Sequence, residues 1–147
     1  MIIAVGCDHA GYEGPPPLYK DAIVNHLRNA GHEVVDCGAF GPESVDYPDY
    51  AGKVCRAVLE GGADLGILLC GTGIGMSIAA NRHPGIRAAV CTTRDMTVLS
   101  RTHNNANILC LGRRVLAIGE CLDLVDLWLS TPFSNGERHA RRVSKLG

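Results

Sequence analysis

One stretch, LGILLCGTGIGMSIAAN from Leu65 to Asn81, restricts this chain to few folds. An apolar run of strand length ends at Cys70. Three alternating glycines with one threonine follow, and then small helix-forming residues. Strand, tight turn and helix in that order make a βα unit of a parallel sheet. A helix start leaves backbone N–H groups unpaired at the positive end of the peptide dipole, where an anion can sit. A cysteine at that junction ionises more easily than a free one. A potential base therefore adjoins a cradle for negative charge.

The glycines exclude the commoner phosphate loops. A dinucleotide fingerprint requires G-x-G-x-x-G, and here Gly71, Gly73 and Gly75 alternate with Met76 at the decisive position. A Walker A loop requires Gly-Lys-Ser/Thr, and this loop has no lysine. A C-x5-R phosphatase loop requires arginine where Met76 stands. What remains is a set of backbone donors suited to an oxyanion, with the Thr72 hydroxyl beside them. A tight strand-to-helix turn around a buried cysteine is the competing, purely structural reading.

The rest of the chain repeats the alternation. Strands are expected at Met1–Cys7, His32–Cys37, Leu65–Cys70, Ile86–Val90 and Ile108–Leu111. Between them, Leu18, Ala22, Ile23, Leu27 and Ala30 approximate helical spacing up to Gly31. Tyr50, Ala51, Val54, Ala57 and Val58 do the same after a loop over Gly38–Pro48. Arg94–Thr102 reads as a weak helix, Ile118–Leu129 as a strongly apolar one, and a basic helix closes the chain at about 136–146. This pattern predicts an α/β fold of three layers, Rossmann-like, with a five-stranded parallel sheet. Ligands of such sheets bind beyond the carboxyl ends of the strands. Asp8-His9, Cys70-Gly71-Thr72 and the segment before the fifth strand are expected to gather there. The Ile118–Leu129 helix is apolar on more than one side, which a homodimer contact would explain most economically and a deep core position would also explain.

With 147 residues, 46% apolar composition and net charge −1, residues 1–147 read as one ordered domain without the basic excess of a nucleic-acid binder. No apolar run approaches the length of a membrane span. Met1–Gly14 has neither a basic region nor a long apolar core, so no signal peptide is expected. The seven cysteines are odd in number, form no C-x-x-C pair and mostly fall in strands. That distribution suits small buried apolar residues in a reducing cytoplasm.

Outside the loop, each polar feature has a bland alternative. Asp8-His9 forms an Asx-type turn as readily as an acid–base pair. His103-Asn104 caps a helix as readily as it serves a ligand. Arg138 and Arg142, four apart on one helix, are either solvated or a phosphate clamp. Together, a thiol base, an anion cradle, a histidine and paired arginines match proton transfer next to a carbonyl. The base removes a C–H proton α to the carbonyl, positioned donors stabilise the enediolate, and the proton returns one carbon away. A sugar that cyclises needs a second acid–base group to open its ring. The reaction requires no metal and no redox cofactor.

Six ordered motifs extend this reading: GCDHAG (Gly6–Gly11), DYPD (Asp46–Asp49), CGTGIGMSIAANR (Cys70–Arg82), SRTHNNANIL (Ser100–Leu109), LGRRV (Leu111–Val115) and GERHARRV (Gly136–Val143). Over nearly its whole length the chain resembles the ribose-5-phosphate isomerase B family, whose group also holds galactose-6-phosphate and allose-6-phosphate isomerases. The resemblance implies an aldose–ketose isomerase interconverting D-ribose 5-phosphate and D-ribulose 5-phosphate. It implies Cys70 as the C1–C2 base, with Gly71, Gly73, Ile74 and Gly75 donating backbone N–H groups and Thr72 moving protons between the enediolate oxygens. His103 would open the ring with Asp8 relaying protons. His9, Arg113, Arg138 and Arg142 would receive the phosphate, and Tyr47 and Asn104 would line the sugar site. Sites in this family lie between the subunits of a homodimer, which two copies can double into a dimer of dimers, so the terminal helix would contact the partner. A six-carbon sugar phosphate and a non-catalytic phosphosugar-binding module are the alternatives. Pro15-Pro16-Pro17 departs from the family pattern and touches no motif residue.

Overall fold

The structure, a computed structural model, describes residues 1–147. Strand β1 (Ile2–Cys7) runs into a short 3-10 turn, His9–Tyr12, and helix α1 (Tyr19–Asn29) follows. Next come β2 (Glu33–Asp36), α2 (Tyr47–Leu59), β3 (Leu65–Cys70) and α3 (Ile74–Ala80). The remainder is β4 (Ala88–Val90), α4 (Arg94–Thr102), β5 (Ile108–Gly112), α5 (Ile118–Ser130) and α6 (Glu137–Ser144). The expected elements are all present, with shifted ends. Helix α2 starts at Tyr47 because Pro48 suits a first turn. Helix α1 ends before Gly31, whose φ of +89° a glycine adopts without strain.

All strands are parallel, in the order β2-β1-β3-β5-β4. Alternation along them divides the apolar residues between two faces. Ile3, Val5, Ile67, Leu69, Leu109 and Leu111 pack with Ile23, Leu27, Val125 and Trp128 of α1 and α5. Ala4, Leu68, Cys70, Ile108 and Cys110 pack with Ala51, Val54 and Met76 of α2 and α3. The result is a three-layer α/β architecture. Asn81 covers the short edge strand, accepting from the Ala88 N–H at 2.8 Å and donating to its carbonyl at 2.9 Å, which blunts an otherwise open edge. No helix is long and apolar enough to cross a membrane.

The chain leaves β1 toward β2 on one side and returns to β3 on the other, so β1 and β3 flank a switch point. Asp8-His9 and Cys70-Gly71 leave the carboxyl ends of these two strands, where such folds bind ligands.

Two expectations fail. Helix α4 runs back against the strand direction, so its cap, His103, arrives at the amino-terminal edge of the sheet. There Asn105 accepts from Arg87, the residue before β4, at 2.9 Å. His103-Asn104 therefore do not join Cys70 within one chain. Helix α5 also needs no second surface. Cys121, Leu124, Val125 and Trp128 are buried, and Leu122, Leu127 and Leu129 are half-buried. Because α1 and α4 both pack on it, its two-sided apolarity is satisfied internally.

Candidate active site

Cys70 ends β3 with its side chain on the α2/α3 face, 5% exposed. The Gly73 N–H donates to its Sγ at 3.2 Å. Gly73 holds φ at +84° as the residue before α3, and a β-carbon there would lie 3.2–3.4 Å from the Leu111 and Cys110 backbone. Gly112 presses from the other side, where a β-carbon would fall 2.7–2.9 Å from the Thr72 backbone. The loop is thus seated backbone against backbone on the exit of β5.

Its donors are divided. The Ile74 N–H is taken by Thr72 Oγ1 at 3.2 Å. The amides of Gly71, Thr72 and Gly75 find no acceptor within the chain and stay available to an anion. Tyr47, first in α2, lays its ring on Gly75, 2.9–3.2 Å from where a β-carbon would stand. The α2 start thereby forms a wall of the same cradle.

Across the switch point, Asp8 caps the 3-10 turn by accepting from the Ala10 N–H at 2.9 Å, and is 8% exposed. His9 Nδ1 accepts from the Val45 N–H at 3.2 Å. A backbone N–H only donates, so the neutral ring carries its proton on Nε2, which can serve an anionic ligand. Burial pushes the thiols behind these loops up, Cys7 to about 12 and Cys110 well above its ordinary range.

The Arg113-Arg114 doublet splits. Arg113 stacks on Tyr19 with Cζ 4.3 Å from the ring centroid and donates to the Glu13 and Gly14 carbonyls at 3.3 and 3.1 Å. Arg114 faces the loop, with Nη1 3.0 Å from where a Gly71 β-carbon would be. It pairs with Glu13 through two nitrogens, the closest contact being 2.7 Å. Hydrogen bonding to Glu13 holds Arg114 above its ordinary range, and the charges of Asp8 and Cys70 act the same way. Arg114 and Glu13 escape sequence reasoning. The available signal is the doublet itself, since successive residues leaving a strand point to opposite sides.

A second group sits at the amino edge. The rings of His103 and His139 stack, centroids 4.1 Å apart and planes at 13°. They line a cavity of about 600 Å³ with Thr102, Ser134, Arg138 and Arg141. Arg142 lies close enough to bear on His139, whose pKa is lowered by burial, His103, Arg138 and Arg142. Asn104 instead lines a separate cavity beside Asn81 and Arg87. The candidate residues therefore form two sets. Cys70, Thr72, the glycines, Ile74, Asp8, His9, Tyr47 and Arg113 lie at one edge, and His103, Asn104, Arg138 and Arg142 at the other.

A family model described as Ribose/Galactose Isomerase matches residues 3–146. The chain belongs to the ribose/galactose isomerase family. It is similar to the ribose-5-phosphate isomerase B of Escherichia coli K12, with 46% identity over 98% of this chain and 93% of that protein. Ribose-5-phosphate isomerase B of Clostridium thermocellum superposes with a TM-score of 0.94 at 53% identity, covering 100% of this chain and 95% of the other. The type B enzyme of Trypanosoma brucei gives 0.91 at 46% identity, with 99% of this chain covered. As a ribose/galactose isomerase family member, the chain matches over a span that includes both sets of candidate residues.

Proposed function

We propose that this protein interconverts D-ribose 5-phosphate and D-ribulose 5-phosphate through a cis-enediolate, with Cys70 as the base. Family membership over nearly the whole chain carries the aldose–ketose isomerase activity. The five-carbon substrate rests on relatives at 46% and 53% identity that bear the name ribose-5-phosphate isomerase B. The single observation behind the base is the Cys70 thiol at the mouth of a loop with three unengaged amides.

In the aldose-to-ketose direction, the Cys70 thiolate takes the C2 proton and the C1 carbonyl oxygen becomes the enediolate oxyanion. The amides of Gly71, Thr72 and Gly75 meet that charge as preorganised donors. Thr72 carries a proton from O2 to O1, Cys70 returns its proton to C1, and C2 becomes the carbonyl. His103 opens the furanose and Asp8 relays protons on the sugar hydroxyls. His9 Nε2, Arg113, Arg138 and Arg142 receive the phosphate, joined by Arg114 once it exchanges Glu13 for the ligand. Tyr47 and Asn104 line the sugar.

These roles require a homodimer, which we place in the cytoplasm, with the amino-edge set of one subunit completing the carboxyl-edge set of the other. Strand β3 alone separates the edges by about 17–20 Å, more than a pentose phosphate bridges. Ile74 and Ile78 of α3 and Met96 and Leu99 of α4 are exposed large apolar side chains, suited to burial against a second copy. Helix α6 buries no residue of its own and is free to reach a partner. The seven free cysteines suit a reducing compartment.

The test is an isomerase assay on five- and six-carbon aldose phosphates with wild type and Cys70→Ala. Wild type should act on ribose 5-phosphate, and Cys70→Ala should lose turnover and solvent-hydrogen exchange at C2. Turnover retained in that variant would remove Cys70 as base, and preference for a hexose phosphate would overturn the substrate.

A further inference from the structure

We propose that His139 is a positioning residue for ring opening, fixing the imidazole plane of His103. The inference rests on the isomerase reading, in which His103 opens the sugar ring. His103 caps the last turn of α4 through its backbone, donating to the Leu99 carbonyl at 2.9 Å, and its ring makes no hydrogen bond within the protein. An imidazole held by its backbone alone rotates about two side-chain torsions. The only aromatic neighbour is His139, stacked on it at 4.1 Å with the planes 13° from parallel. His139 comes from α6, a helix with no buried residue. The contact therefore ties a helix that is otherwise loosely seated to the ring whose geometry matters.

The chemistry needs that geometry. Opening the hemiacetal moves one proton from the anomeric oxygen O1 to the ring oxygen O4, as C1–O4 breaks and C1=O1 forms. A neutral imidazole takes the O1 proton and then delivers it to O4. Both transfers demand a ring nitrogen within hydrogen-bond reach of each oxygen in turn. Arg138 and Arg141 line the same cavity and Arg142 bears on His139, while Glu137 is the one acidic group there. Stacking on His139 leaves the edge nitrogens of His103 free while blocking one face of the ring. It also makes α6 serve both tasks at once, since the arginines offered to phosphate and the ring that orients His103 are neighbours on one helix.

Ribulose 5-phosphate separates ring opening from the enediolate chemistry, because its 5-oxygen is esterified and it cannot close a furanose. Solvent-deuterium exchange at C1 of ribulose 5-phosphate reads Cys70 alone, whereas turnover of ribose 5-phosphate also reads His103. In His139→Ala, the turnover rate on ribose 5-phosphate should fall about tenfold or more, with exchange into ribulose 5-phosphate within about twofold of wild type. His139→Phe, which keeps a stacked ring, should restore most of the turnover. Equal loss of both rates in His139→Ala, or no loss of either, would overturn the positioning role, as would failure of His139→Phe to rescue. A wild-type enzyme that neither exchanges nor turns over ribose 5-phosphate would instead overturn the isomerase reading itself.

Discussion

Gly73 and Cys70 are joined by a hydrogen bond from backbone N–H to Sγ at 3.2 Å, with Gly73 at φ +84°. The amide at a helix start thus points at sulfur, and the thiol sits beside the unengaged amides of the loop. The other thiols are held differently. Burial pushes Cys7 and Cys121 up to about 12 and Cys55 to about 11. Burial, followed by the charge of Asp36, also raises the half-buried Cys37. Brief iodoacetamide treatment of the native protein at pH 7.5, mapped by mass spectrometry, should label Cys70 first and abolish activity in parallel. First labelling at Cys37, with activity intact, would contradict this.

The glycines at the loop are not equivalent. A β-carbon at Gly112 meets the Thr72 backbone at 2.7–2.9 Å, which cannot yield without moving the loop. At Gly75 it meets only the ring of Tyr47, which is 39% exposed and can swing aside. Gly112→Ala should cost about 1–3 kcal/mol of stability and nearly all turnover. Gly75→Ala should mainly raise KM by loosening the Tyr47 wall. Denaturation midpoints and steady-state kinetics on both variants test the contrast, and a Gly75→Ala enzyme as damaged as Gly112→Ala would refute it.

Beneath Asp8-His9, Lys20 is 1% exposed and donates to Asp36 at 2.6 Å, the Ala39 carbonyl at 3.2 Å and Tyr12 Oη at 3.4 Å. Burial opposes its charge, yet the hydrogen bond and charge of Asp36 outweigh burial and raise its pKa. Asp36 is 27% exposed and keeps access to water. Asp36→Ala, which strands a buried ammonium, should therefore destabilise more than Lys20→Met, by about 3 kcal/mol against a smaller loss. Because the folded pKa of Lys20 is raised, its contribution is complete below about pH 10.4 and fades only as pH climbs through the folded value. Urea unfolding at pH 7 and pH 11 checks both the order and the sign.

The βα junction at Cys70 was legible because its apolar run, alternating glycines and small helical residues each permit little else. The same holds for β1 and its Asp8-His9 exit. What escaped reading depended on direction rather than type. Helix α4 reads as a helix from its spacing, but only its run against the strands puts His103 at the far edge from Cys70. Helix α5 reads as two-sided, and only the positions of α1 and α4 show that both sides are already covered. Arg113 and Arg114 are chemically alike in sequence. Tyr19 and Glu13, about one hundred residues away along the chain, decide which of them faces the loop.

The separation of Cys70 and His103 on opposite sheet edges makes subunit exchange the most direct measurement of the whole account. Cys70→Ala and His103→Ala proteins, each inactive alone on ribose 5-phosphate, would be mixed, dissociated and reassociated. If each site takes Cys70 from one subunit and His103 from the other, every mixed dimer holds one intact site, and about a quarter of wild-type activity should return. No recovered activity, with mixed dimers shown to form, would contradict a site shared between chains.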